Sequence, residues 1–110
     1  HRAAAFVKAA AAVCAPQDLQ AGAEALAQGF SLLYTRNFLK TLKRKSLAKL
    51  AQYPGLFDRD RMVGARDFFD FDDAVTAPMH GFASCYDYWT RSSSRRFLAD
   101  IRIPTRVLMP

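Results

Sequence analysis

Two short apolar runs sit near opposite ends of this chain, Ala9–Cys14 (AAAAVC) and Ile101–Leu108 (IRIPTRVL), and the pattern between them is helix and turn. Pattern alone leaves the first run open. Alanine favours helix, whereas the stop at Ala15-Pro16 and the shortness of the run suit a buried strand of a parallel sheet. The second run reads as a strand with Pro104 at its entry, where a missing donor is tolerated. If the two are parallel neighbours, a crossover must join them, and here it would be a long, mostly helical insertion. An exposed helix over Ala3–Cys14 would instead point to a small helical protein.

From Gln17 the reading is helical, with Asp18 able to cap a helix through Leu19, Ala23, Leu26 and Ala27, and Gly29 closing it at positive φ. The clearest helix follows, about Ser31–Tyr53. At 100° per residue Leu32, Thr35, Phe38, Leu39, Leu42, Ser46, Leu50 and Tyr53 fall within an arc of about 120°. Pro54-Gly55 ends it. Asp58 is placed to cap a shorter helix through Met62 and Ala65. The stretch Phe69–Phe82 reads as short helix mixed with loop. Ser84 and Asp87 match a capping-box variant that opens a helix carrying Tyr86, Tyr88 and Trp89, and Arg95–Ala99 suggests one further turn.

The formal net charge is +6, and one segment carries it. No acidic residue lies between Glu24 and Asp58, yet that window holds Arg36, Lys40, Lys43, Arg44, Lys45 and Lys49. Basic residues beside an apolar stripe are commonly a solvated helix face, and they also suit an anionic lipid surface. Nucleic acid is the weaker partner, because no recognised binding module accompanies the six charges. The two cysteines, Cys14 and Cys85, have no neighbour at metal-ligand spacing, and packed, reduced thiols are expected. The Ala-rich opening is interrupted by Lys8 and is too short to span a bilayer, so a cytoplasmic chain, peripheral to a membrane at most, is expected.

Three stretches carry a resemblance. AAAAVCAPQDL (Ala9–Leu19) is similar to the sixth-strand segment of the YheT-like branch of the α/β-hydrolases, in which an apolar strand runs into a small-residue-Pro-x-Asp turn. FLKTLKRKSLAKL (Phe38–Leu50) resembles the basic cap helix of that branch. FDFDDAVTAPMHGFASCYDYW (Phe69–Trp89), with RSSSRRFLADIRIPT from Arg91, resembles its most recognisable block. The resemblance implies an α/β fold: two parallel strands joined by a mostly helical cap, as an internal fragment of an α/β-hydrolase. Residues 1–16 would be the end of a core helix and a core strand, 17–100 the cap and its return, and 101–110 the adjacent core strand. A complete domain of that fold needs roughly twice this length.

The implied activity is that of a serine carboxylic-ester hydrolase acting on lipid-derived or medium-chain acyl esters, with no cofactor and no metal. The implied order is nucleophile, acid, histidine. None of the five glycines flanks a serine as Gly-x-Ser-x-Gly. The nucleophile is therefore expected before His1, the acid and histidine after Pro110, and no catalytic residue within the chain. Arg106 stands where the family prefers an apolar strand residue.

His80, between Met79 and Gly81, is expected to be structural or pocket-lining rather than a general base, since no nucleophile is placed to use it. Phe82 and Trp89 are the candidate walls of an acyl pocket, drawn from an aromatic set that otherwise packs as core. Asp70, Asp72 and Asp73 lack the loop spacing of a metal site and are expected to cap a helix and pair with arginines. Ser92–Ser94 read as a turn capping the next helix. The alternative function is a binding module using helix 31–53 on anionic membranes or nucleic acid. For a two-stranded sheet with open edges, self-association is expected.

Overall fold

The structure, a computed structural model, describes residues 6–109. The expected core-helix end over residues 1–5 lies outside the described residues, as does Pro110. In chain order the elements are β1 (Ala10–Val13), α1 (Leu19–Leu26), α2 (Ser31–Gln52), α3 (Arg59–Gly64), α4 (Phe68–Phe71), a π-helical turn (Asp72–Thr76), α5 (Ala77–Met79), α6 (Cys85–Ser92), a 3-10 helix (Ser94–Asp100) and β2 (Thr105–Leu108). They divide into a helical unit, Leu19–Ser92, and a strand unit made of the segments on either side.

In the strand unit β1 and β2 pair in parallel, with Ala10 opposite Thr105 and Val13 opposite Leu108. The ladder is extended at both ends: Ala10 N–H donates to the Pro104 carbonyl at 3.0 Å, and Cys14 N–H to the Leu108 carbonyl at 2.8 Å. Pro104 thus contributes an acceptor at the strand entry, where its missing donor costs nothing. The ambiguity at Ala10–Val13 resolves as strand, so an exposed helix over that part of Ala3–Cys14 is excluded, while Ala3–Ala5 lie outside the described residues. Arg95 ties the two segments together, donating its N–H to the Gln17 carbonyl at 3.0 Å and its guanidinium to Asp18 at 3.1 Å.

In the helical unit Gly29 takes φ +55° in the turn between α1 and α2, where its carbonyl accepts Leu32 N–H at 3.2 Å. Thr35, the fully buried polar residue of α2, donates its hydroxyl to the Leu26 carbonyl at 2.7 Å, satisfying an orphan acceptor of the last turn of α1. The core gathers Leu39 of α2, Phe57, Met62 of α3, Ala65, Phe71, Ala74 and Val75, with Leu42, Leu50 and Phe68 packed against it. Each large side chain buried this way stabilises by about 1.5–3 kcal/mol. The centre of the predicted stripe on α2 is therefore buried. Phe38 sits at its edge and stays exposed, as does Tyr53, which leaves the helical path at φ −131°.

Phe69–Phe82 is the expected mixture, short helix as far as Met79 and then turn and loop over His80–Phe82. Pro78 has no N–H and its ring crowds the carbonyl four residues earlier, and the helix absorbs this by widening to a π turn, with Ala77 N–H reaching the Asp72 carbonyl. Of the two thiols expected to be packed, Cys85 is buried but Cys14 is exposed, at the end of β1 with φ +50°. A strand exposed on both faces has no core to take it.

Candidate functional site

Of the residues singled out from the sequence, Asp72, Asp73 and Trp89 meet at the π turn and α6, whereas the six basic residues lie on α2. Asp72, on the turn, accepts the Thr76 hydroxyl at 2.6 Å and the Trp89 indole N–H at 2.8 Å. Asp73 accepts the Cys85 backbone N–H at 3.0 Å and pairs with Arg61 at 2.8 Å. Both carboxylates therefore meet α6, Asp73 at its first residue and Asp72 one turn further on at Trp89, and the π turn sets the rotation that lets successive residues do so. Ser84 and Asp87 complete the predicted cap in modified form. The Ser84 hydroxyl accepts Asp87 N–H at 3.2 Å, while the Asp87 carboxylate reaches back to Ala83 N–H at 3.1 Å, one residue earlier than in the usual box.

Burial pushes the Asp72 carboxyl above its ordinary range, against the opposing pull of its bonds from Thr76 and Trp89. Burial also raises the Cys85 thiol to about 11, with the charge of Asp73 adding to it. A thiol in the first turn of a helix would ordinarily be acidified by the backbone N–H groups. Here desolvation and a neighbouring anion win, so Cys85 is no nucleophile. The Tyr88 hydroxyl is raised by burial and by Asp72.

Trp89 is buried, with Phe69 and Tyr86 at ring distances of 6.1 and 5.8 Å, and those two rings are themselves partly open to solvent. Phe82 is half-buried against Tyr88 at 5.3 Å, with the Arg91 guanidinium 4.9 Å from its ring centre. His80 is exposed and ends α5 in a Schellman arrangement. Phe82 N–H bonds the Ala77 carbonyl at 2.9 Å, Gly81 N–H bonds the Pro78 carbonyl at 3.4 Å, and Gly81 takes φ +72°. The positive φ at Gly81 fixes where Phe82 points.

The acidic cluster holds this region together. Asp70 accepts Arg66 N–H at 2.9 Å, and among the described residues no group of three or more His, Cys, Asp or Glu is arranged for a metal ion. The cluster was legible as capping and arginine pairing. The Asp72–Trp89 bond was not, because partners 17 positions apart leave no periodic signal.

Five of the six basic residues of α2 are exposed. Lys43 is the exception, its ammonium donating to the carbonyls of Val63 and Ala65 at 2.7 and 2.5 Å. It caps the C-terminal end of α3 rather than facing solvent freely. Grooves open on the helical unit. One of about 560 Å³ includes Arg61, Asp67, Phe69, Asp70 and Asp73, and one of about 400 Å³ lies along α2; neither is lined by His80, Phe82 or Trp89. No helix among the described residues is long and apolar enough to cross a membrane.

No family model matches the chain, and no solved structure matches it. Over 104 residues it is 36% identical to a protein described as "Putative esterase YheT" from Escherichia coli K12, covering 93% of this chain and 31% of that protein. Over 77 residues it is 31% identical to an "Abhydrolase domain-containing protein" from Dictyostelium discoideum, covering 67% of this chain and 19% of that one. The chain thus spans less than a third of the length of either relative.

Proposed function

Because the chain is α/β-hydrolase-like, we propose that it supplies the lid and two core strands of a serine carboxylic-ester hydrolase acting on lipid-derived or medium-chain acyl esters. The observation that carries this reading is the 36% identity, over 93% of the chain, to a protein described as a putative esterase. The strand unit supports it. Val13, Val107 and Leu108 expose apolar side chains on a parallel pair, and parallel strands are ordinarily covered on both faces within a larger sheet.

In this reading a serine outside the 110 residues attacks the ester carbonyl, and backbone N–H groups hold the oxyanion. Water then releases the acid. The helical unit shapes and gates the acyl pocket. His80 and Phe82 stand at its rim, and Trp89 backs the half-open rings of Phe69 and Tyr86. The work takes place in the cytoplasm.

The test is hydrolysis of p-nitrophenyl butyrate and covalent capture of a fluorophosphonate. A longer protein carrying this segment is expected to do both, and the 110 residues alone neither. Turnover by the 110-residue chain that disappears in His80→Ala would overturn the assignment.

A further inference from the structure

The groove of about 400 Å³ along α2 gathers cations from two elements: Arg36, Lys40 and Lys43 of α2, and Arg66 from the link between α3 and α4. Its floor is Leu39 and Ala65, both buried, and no carboxylate lines it. Arg36 and Lys40 are four apart on one helix face, a like-charge spacing that disfavours the helix unless an anion offsets it. The one carboxylate bonded at Arg66, that of Asp70, takes its backbone N–H and not its guanidinium.

Lys43 adds a pre-placed charge. Two of its three N–H donors are spent on the Val63 and Ala65 carbonyls, which fix the ammonium at the wall and leave one donor over. A charge held by backbone acceptors loses little freedom when an anion arrives. Two guanidinium-bearing side chains and two lysines around an apolar floor gather four positive charges in one groove, which suits a multiply charged oxyanion such as phosphate over a singly charged carboxylate.

We propose that this groove binds a phosphate group, with Arg36, Lys40 and Arg66 as its ligands and Lys43 as a fixed positive wall. The site does not depend on the ester-hydrolase reading. The phosphate can belong to a small molecule or to a lipid headgroup, and the two sources separate experimentally.

Inorganic phosphate titrated into the full chain by calorimetry, against sodium chloride of equal ionic strength, should bind saturably at one site. The double variant Lys40→Ala/Arg66→Ala should weaken it by about tenfold or more. Lys45→Ala, about 140° round α2 from Lys40, should leave it unchanged. Both substitutions in the double variant are at exposed positions, so folding is preserved, and circular dichroism verifies it. Co-sedimentation with phosphatidylglycerol–phosphatidylcholine vesicles that the double variant abolishes would assign the phosphate to a headgroup. Absence of vesicle binding beside saturable phosphate binding would assign it to a soluble ligand. Non-saturable binding of phosphate, or equal weakening by Lys45→Ala, would overturn the site and leave only diffuse positive charge.

Discussion

Asp73 holds the backbone N–H of Cys85 at 3.0 Å and so keeps a carboxylate beside a thiol that has no exposed surface. The pairing positions α6 against the π turn, and it decides the chemistry of the cysteine. At the start of a helix the thiol would be activated, but burial and the adjacent anion push it up to about 11.

A raised thiol has a direction in pH. The folded chain keeps the Cys85 proton where the unfolded chain loses it, so the contribution is complete below the unfolded value of 9.0 and is lost as pH rises through about 11. The loss amounts to about 2–3 kcal/mol, read as a falling denaturation midpoint over that window. At pH 8 a maleimide should modify the exposed Cys14 and spare Cys85 until denaturant is added, so intact mass shows one adduct native and two unfolded.

Trp89→Phe keeps the ring but removes the donor to Asp72, leaving a buried carboxylate with one partner fewer. The expected cost at neutral pH is about 1–3 kcal/mol. The indole bond favours the ionised carboxyl, so the variant's Asp72 should rise further. The cost should therefore shrink as pH falls and Asp72 takes up a proton. Urea denaturation at pH 7 and pH 3 gives both numbers, and an equal cost at the two would contradict the assignment.

Lys43→Met keeps most of the apolar stem and removes the ammonium from the Val63 and Ala65 carbonyls. It should destabilise by about 1–2 kcal/mol, because the last turn of α3 regains unsatisfied acceptors. Lys45→Met, at an exposed position of the same helix, should stay within about 0.5 kcal/mol. Thermal denaturation separates the two.

Gly81→Ala meets no atom within 4 Å of the added Cβ, so its entire cost is backbone. At φ +72° that cost is about 1 kcal/mol. The same change at Gly22, which lies within α1 and meets no atom either, should stabilise slightly. Opposite signs for two Gly→Ala changes are the expected outcome by denaturation.

Helix boundaries were legible where local rules set them: the Asp58 cap accepts Arg61 N–H at 2.9 Å, and Pro54-Gly55 follows the end of α2 with Gly55 at φ +82°. Two things resisted. Six alanine-rich residues cannot choose between helix and strand until a partner strand arrives from the far end of the chain, and no local pattern announces a π turn. Lys43 read as one basic residue among six, because its acceptors lie 20 and 22 positions away. The resemblance to α/β-hydrolases was carried by contiguous motifs, above all Phe69–Trp89, and these survive comparison where pairwise contacts do not.

The central claim is a strand, a helical crossover and a parallel neighbour. The most direct measurement is nuclear Overhauser contact across β1 and β2 in isotope-labelled chain. The account predicts backbone contacts linking Ala10 with Thr105 and Ala12 with Val107, together with extended-strand chemical shifts at both. Helical shifts over Ala10–Val13 with no contact to Thr105–Leu108 would contradict it, and the small helical binding module would take the place of the hydrolase lid.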